Sequence, residues 1–593
     1  MCGINGFNFK DENLLREMSR VTHSRGPDNE GFYFNDKFSL SHNRLAIIDI
    51  DKRSNQPLKF KEFVISYNGE IYNYLDLREK LKKLGYNFTT KSDTEVIIKL
   101  FDRFGEESFK MLSGIFAFSI YDEKKDIVYL IRDPVGVKPL YFHFDGLSKK
   151  FYFSSLIKSL LKCNIKKQLN FFAINSYANF NRNDLRETFF KNIFKVLPGE
   201  MIKVKRDSYE RKKVINLNPE KPVSTKNFKK DIKEIFSKQF IADVPVALSL
   251  SGGIDSNLIL SVMLKKLGKN FTAYSVNFKN SQKYSLDYEV AKSISKKFNI
   301  KFNSIETNFE DFKYRAEDIV DIVEEPTGNT NSIANLMLSE NVNEKVLFSG
   351  DGGDEVFTGY NKYKSISILS KILKFNPLKN YKIKFNSKFL KRLFINNSRN
   401  LFLSFSEQNL FKSQKKIYKN FKFFNDHDLD QILNHSSDHF NTNLSNIMYH
   451  DLDTWIVNDV LLRNDKIYSN KGIELRVPFL DKELINKYLM TSDFKKFGFR
   501  FRSKNLIINN FKKELQGTLK KKYGFNSPFA GWLRKELFDF ANLVLSKDYY
   551  DSSNIIDLSE CKKLIYKHKN EYFDPDMIWN SISLQIFLRK YKF

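Results

Sequence analysis

A chain of 593 residues, 41% hydrophobic and 15% aromatic, is too long for one hydrophobic core and too apolar for wholesale disorder, so two sizeable domains are expected. It has no apolar run of the roughly 18–20 residues that span a bilayer and no basic, then apolar, leader in MCGINGFNFK, which points to a cytoplasmic protein. The net charge of +28, from 98 Lys and Arg against 70 Asp and Glu, comes without zinc-finger spacing or an RNA-binding aromatic signature; it reads as lysines on solvated faces, and no nucleic-acid partner is expected.

Up to about residue 210 the pattern is one of short strands, with GFYF (31–34), FVISYNG (63–69), IFAFSIYD (115–122), IVYLIRD (127–133) and LYFHFD (140–145), interrupted by helices at Tyr74–Leu84 and Thr94–Phe104. Packed antiparallel sheets in an α+β arrangement follow from that texture. PGEMIKVKRDSYE reads as the last strand, and the polar, twice-proline segment 216–227 as a linker. Then VPVALSL (244–250), a glycine turn, the helical NLILSVMLKKLG, the strand FTAYSVNF, a helix through Val290 to Phe298 and the strand VLFSG (346–350) alternate, which predicts an α/β unit with a parallel sheet. Beyond about residue 360 the pattern is mostly helical, with basic residues densest between Lys362 and Lys422. Domains are therefore expected at 1–210 and 225–593. Cys2, Cys163 and Cys561 are too scattered for a metal pair or a disulfide framework.

Between strand and helix stands Ser251-Gly252-Gly253-Ile254-Asp255-Ser256. Two glycines let backbone amides face an anion, the hydroxyls add donors, and the helix N-terminus adds partial positive charge. Asp255 alone would repel phosphate, so a bridging Mg²⁺ is implied. There is no GxxxxGK[ST], which excludes a Walker-type site.

SGGIDS resembles the pyrophosphate loop of the ATP-pyrophosphatases, enzymes that cleave ATP between the α and β phosphates and adenylate a substrate. The resemblance implies that Leu250 and Val276 flank adenine. VLFSGDGGDEVFTGY (346–360) is similar to the second signature of the asparagine synthetase family. It implies that Ser349 and Gly350 lie beside the adenylate and that Asp354 is a second Mg²⁺ carboxylate opposite Asp255. Asp351, where many members have Glu, would be tied to forming the acyl-adenylate. GIELRVPFLDKEL (472–484) and KKKYGFNSPFAGWLR (520–534) match later segments of the family, and Lys522 falls on its adenylation lysine. Asp465 and Arg476 are open between shaping the acceptor pocket and forming buried ion pairs.

Removal of Met1 would make Cys2 amino-terminal, with an α-amine of ordinary pKa near 7.7–8 able to act as base toward its own thiol. CGINGF, SRGPD (24–28), RLAIID (44–49), YNGEIYN (67–73), SDTEV (92–96) and RDPVGVKPLY (132–141) recur in the order seen in class II, N-terminal nucleophile glutamine amidotransferases. That resemblance implies an αββα sandwich. Arg44 suits a bidentate pair with the glutamine α-carboxylate, Asp93 suits the α-ammonium, and Asn68 with the Gly69 N–H suits an oxyanion hole. Glu70 and Leu45, Ala46, Ile47 and Ile48 would complete the wall. Leu156 in FSSLIK (153–158) replaces an acid that related enzymes place near the contact between domains.

The resemblance covers nearly the whole chain. It implies glutamine hydrolysis in one domain, ATP-dependent adenylation of a carboxylate in the other, and ammonia passing between them. Expected cofactors and partners are ATP as substrate, Mg²⁺, glutamine, and an acceptor acid that is aspartate or another carboxylic acid such as a uronic acid of a surface glycan; a homodimer stays open.

Overall fold

The computed structural model describes residues 1–184, 186–219, 224–279, 285–375, 417–418, 443–518, 527–571 and 573–593. The amino-terminal part is built from β1 (Gly3–Phe7), β2 (Asn29–Phe34), β3 (Ser39–Arg44), β4 (Leu58–Phe60), β5 (Phe63–Ile71), β6 (Gly114–Asp122), β7 (Ile127–Arg132), β8 (Tyr141–Asp145), β9 (Lys150–Ser154), β10 (Phe194–Lys195), β11 (Glu200–Val204) and β12 (Tyr209–Lys213). They form two six-stranded antiparallel sheets, ordered β10-β8-β9-β1-β3-β2 and β12-β11-β7-β6-β5-β4. Side chains alternate along each strand, so each sheet can bury both faces. In β5 and β6, Val64, Ala117 and Tyr121 join the core between the sheets, whereas Phe63, Ile65, Tyr67, Phe116, Phe118 and Ile120 meet Leu77, Leu81, Ile97 and Phe101 of the covering helices. Those helices are Tyr74–Lys83 and Asp93–Phe104; Glu12–Thr22 packs against the other sheet, completing an αββα sandwich. The helix Glu12–Thr22 starts where the Asp11 carboxylate accepts the Leu14 N–H at 2.9 Å.

PGEMIKVKRDSYE folds as the β11–β12 hairpin rather than as a single last strand. The intervening KRDS supplies the polar turn that a continuous reading overlooks.

His42 on β3 reaches across the sandwich to the Tyr67 carbonyl of β5 at 2.9 Å and is fully buried. Burial pushes it down to about 3 from an ordinary 6.5. Below about pH 6.5 the unfolded chain takes up a proton here that the folded chain refuses until near pH 3, so stability falls as pH drops through that window. His42→Gln is expected to reduce the loss between pH 7 and pH 4 by roughly 3 kcal/mol. Denaturant midpoints of the two chains at both pH values check this; equal losses would remove His42 from the account.

The carboxy-terminal part holds β13 (Val246–Ser249), β14 (Thr272–Phe278), β15 (Lys301–Thr307), β16 (Val346–Phe348) and β17 (Glu474–Arg476) in a parallel sheet of order β15-β14-β13-β16-β17. The order runs outward from β13 to β15, then reverses to β16, which leaves a crevice at the carboxyl ends of β13 and β16. Helices Ile254–Leu267, Leu286–Phe298, Phe309–Val323 and Asn331–Asn341 connect the strands, and the rest of the described chain is helical apart from β17. β17 was not expected within GIELRVPFL, because three residues are too few to show a period. Most of the basic stretch 362–422 lies outside the described residues. Among the described residues no helix is long and apolar enough to cross a membrane.

Candidate active sites

Cys2 begins the strand segment that leads into β1, wedged beside β5. Its backbone N donates to Asn68 Oδ1 at 2.9 Å, and the Leu45 N–H points at its Sγ at 3.5 Å. With Oδ1 so engaged, Asn68 turns its amide Nδ2 into the same buried space, where it has no partner. A buried donor without an acceptor is costly unless something else supplies one, and developing oxyanion charge would do so. Gly69 follows with φ +146°, and any Cβ there would lie 2.0 Å from the Ile115 carbonyl oxygen, so no other residue brings its N–H to this place. Burial pushes the Cys2 thiol above its ordinary value, against the pull of the adjacent amino terminus and the Leu45 N–H. The amino-terminal ammonium, carried by Met1 in the full chain, is pushed down to about 5, again by burial.

The surrounding candidates divide. Asp93 Oδ2 accepts from the Tyr67 hydroxyl at 2.7 Å and the Ile71 N–H at 3.0 Å. Arg44 does not present an open fork: Nη1 donates to the Asp51 carbonyl (2.9 Å) and Asn55 Oδ1 (2.8 Å), and Nη2 to the Asp49 carbonyl (2.5 Å). A pair with a substrate carboxylate is therefore not preformed; the 49–55 loop would have to release the guanidinium. Ala46 N–H donates to Asp28 at 2.7 Å, and the Ile47 carbonyl accepts from Asp243 at 2.9 Å, so the Leu45–Ile48 wall is tied to both parts of the chain. Glu70 faces Arg476 at 3.3 Å.

The second centre is a cavity of about 870 Å³ at the carboxyl ends of β13, β14 and β16. Leu250, Ser251, Gly253, Asp255, Ser256, Val276, Ser349, Gly350, Asp351 and Asp354 all line it. Gly252 does not; it turns the chain at φ +68° and backs onto the Asp287 carbonyl. Asp255 and Asp354 approach each other because Gly353 has no side chain: a Cβ there would lie 2.6 Å from Asp255 Cγ. The Lys504 ammonium is paired with both carboxylates, and Asp255 Oδ1 is buried without a hydrogen-bond partner. Two carboxylates already gathered around a cation, with a spare oxygen, fit Mg²⁺, which takes one or two protein carboxylates and completes its shell from water and phosphate. Among the described residues no group of three or more His, Cys, Asp or Glu side chains gathers.

Asp351 Oδ2 accepts from Ser349 Oγ and Asn464 Nδ2, both at 3.0 Å, and burial pushes its carboxyl above the ordinary range. Lys522 lies outside the described residues. Asp465 and Arg476 do not line the cavity; both are buried ion-pair partners. Arg25 Nη1 meets Asp465 at 2.9 Å, while its Nε donates to the Cys2 carbonyl at 3.0 Å. Arg476 meets Glu474 at 2.8 Å as well as Glu70. Lys138, fully buried, lies 3.9 Å from Glu474. Next to Leu156 an acid arrives from the other part of the chain: Glu324 accepts the Ile157 and Lys158 N–H groups at 3.0 and 2.7 Å and pairs with Lys466 at 2.8 Å.

Among the cavity residues that escaped the sequence reading, three are charged and stand close to the candidate carboxylates. Besides Lys504, Arg463 is buried with its Nη1 unpartnered, and Glu355, next to Asp354, is pushed up to about 7 by burial. Glu355 could have been found from its place in GDGGDE. Arg463 sits in the first turn of the helix Leu462–Ser469, directly after a π-helical run, Leu452–Leu461; such irregular turns cluster at functional sites but leave no reliable sequence signal.

Residues 1–214 match the family described as glutamine amidotransferase domain, and residues 227–589 match the family described as asparagine synthase. The chain is 28% identical over 638 aligned positions to an asparagine synthetase (glutamine-hydrolyzing) of Bacillus subtilis, covering 99% of this chain and 97% of that one. It is 30% identical to the corresponding protein of Sandersonia aurantiaca over 61% of this chain and 67% of that one. Among solved structures, a glutamine phosphoribosylpyrophosphate amidotransferase from B. subtilis superposes at a TM-score of 0.29 with 16% identity, over 51% of this chain and 65% of that one.

Proposed function

The chain belongs to the asparagine synthase family, and we propose that it makes asparagine from aspartate with glutamine as the nitrogen donor, a glutaminase domain spanning 1–210 and an adenylating domain 225–593. The observation that carries the reading is a pair of buried donors with no hydrogen-bond partner among the described residues: Asn68 Nδ2 beside Cys2, and Arg463 Nη1 in the carboxylate-lined cavity. Each is placed to meet charge that only a substrate brings.

Once Met1 is removed, the Cys2 thiol passes its proton to the α-amine of the same residue and attacks the side-chain amide of glutamine. Negative charge gathers on the amide oxygen, toward which Asn68 Nδ2 and the Gly69 N–H donate. The C–N bond breaks, ammonia leaves, and water hydrolyses the thioester to glutamate. Arg44, freed from its loop, and Asp93 hold the α-carboxylate and α-ammonium.

In the cavity the β-carboxylate of aspartate attacks the α-phosphorus of ATP and expels diphosphate, giving β-aspartyl-AMP. This activation is required because a carboxylate is a poor electrophile with a poor leaving group. Leu250 and Val276 flank adenine, and Ser251, Gly253 and Ser256 face the leaving diphosphate, with Gly252 turning the chain behind them. Asp255 and Asp354 would hold Mg²⁺, which supplies charge neutralisation on the phosphates when bound. Arg463 offsets acceptor charge, Asp351 orients the reacting carboxylate, and Lys522 is assigned to the charge developing on phosphorus. Ammonia then displaces AMP. Aspartate, glutamine, ATP and water thus become asparagine, glutamate, AMP and diphosphate.

The test is diphosphate release with ammonium and ATP, using aspartate, glutamate and several hexuronic acids in turn. Aspartate is expected to exceed every other acid by at least about 100-fold in kcat/KM, the scale a site built around buried charge partners can reach. A sugar acid that turns over faster than aspartate would overturn the acceptor assignment.

A further inference from the structure

Asp255 and Asp354 stand in the first turns of the helices Ile254–Leu267 and Gly353–Val356, which follow β13 and β16 respectively, and Lys504 arrives from a third place in the chain. Its ammonium lies between Asp255 Oδ2 and Asp354 Oδ1, and the residue is only 5% exposed. Its backbone is left-handed (φ +55°) at the start of the helix Asn505–Asn510, a conformation few residues with a side chain adopt. Gly359 makes room for the group: a Cβ there would lie 2.7 Å from Lys504 Cε and would collide with Asp354 Oδ1. The arrangement is thus a packed one, in which a side-chain cation takes the position between two carboxylates that a divalent ion would seek.

An ammonium and a metal ion cannot share that position. Without any cation, two carboxylates this close would repel each other in a buried setting. We propose that Lys504 is a placeholder that shuts the aspartate pair against free divalent cations and yields it only when a nucleoside triphosphate arrives; this rests on reading Asp255 and Asp354 as the metal carboxylates. The polyphosphate is what can move it. It brings its own divalent ion, and it offers anionic oxygens to the displaced ammonium within the same cavity, which Lys504 lines. Metal and nucleotide then enter together, and the empty enzyme does not accumulate metal. Lys504 is on this account a positioning residue.

Mn²⁺ titration of the full chain, followed by electron paramagnetic resonance as loss of the free-ion signal, tests it with and without a non-hydrolysable ATP analogue. Wild type without nucleotide is expected to bind Mn²⁺ at least 10-fold more weakly than with the analogue. Lys504→Met without nucleotide is expected to bind it at least 10-fold more tightly than wild type, while Lys504→Arg, which keeps the cation, stays with wild type. Equal nucleotide-free affinities in wild type and Lys504→Met would overturn the proposal. So would nucleotide-free binding by wild type as tight as with the analogue, a result that needs no variant to fold. Asp255→Asn separates the two readings: unchanged Mn²⁺ uptake with the analogue would instead remove Asp255 from the metal site.

Discussion

Cys2→Ala is expected to lower glutamine-dependent amidation by at least about 10⁴-fold, because removing an attacking group leaves only binding and oxyanion stabilisation. Amidation fed by ammonium should remain within about twofold of wild type. The substitution deletes one sulfur atom from a residue only 9% exposed, and the contacts that position the segment, Cys2 N to Asn68 and Arg25 to the Cys2 carbonyl, are made by the backbone. The cavity at the ends of β13 and β16 is lined by other residues entirely. Glutamate formation, and amide formation with glutamine or with ammonium, are the three rates to compare. Loss of ammonium-dependent synthesis along with the others would contradict two separate centres.

For Asp255→Asn the loss should fall on the other reaction. Diphosphate release is expected to drop on the order of 10³-fold, the equivalent of several kcal/mol of charge stabilisation. Glutamine hydrolysis should change by no more than about twofold. Asparagine keeps the shape of the side chain, so the close approach of Gly353 and Gly350 to it is preserved; what is lost is one of the two charges that Lys504 now holds. Unchanged diphosphate release would take Asp255 out of any metal role, and a parallel fall in glutaminase rate would show that the substitution acts by unfolding.

How much of this was legible beforehand depended on distance along the chain. The SGGIDS loop, the GDGGDE turn and the residues around Cys2 carry their chemistry in consecutive positions, and a strand–turn–helix texture fixes where such a turn must lie. The two sheets of the amino-terminal part were likewise visible in alternating strands. Lys504 was not, since SKNLI has no signal of its own and its partner Asp255 is 249 positions away. Glu324 stands 166 positions from the Lys158 N–H it accepts, so nothing near Leu156 announces it. Arg44 shows the opposite limit: the residue type suits a carboxylate, but its guanidinium is claimed by carbonyls only a few positions away, a choice made by how the loop closes. A chemically apt side chain was readable; its resting partner was not.

The ions buried between the halves bear on modularity. Arg25, Lys138 and Glu70 belong to one half, Asp465, Glu474 and Arg476 to the other, and none of the six is more than 5% exposed. Stranding one member of such a pair is far more damaging than never having had it. A chimaera that grafts one half onto the other half of a relative would therefore inherit isolated ions in apolar surroundings wherever the relative's charges do not match. The halves are matched parts, and exchange between relatives has to carry the six side chains as a set.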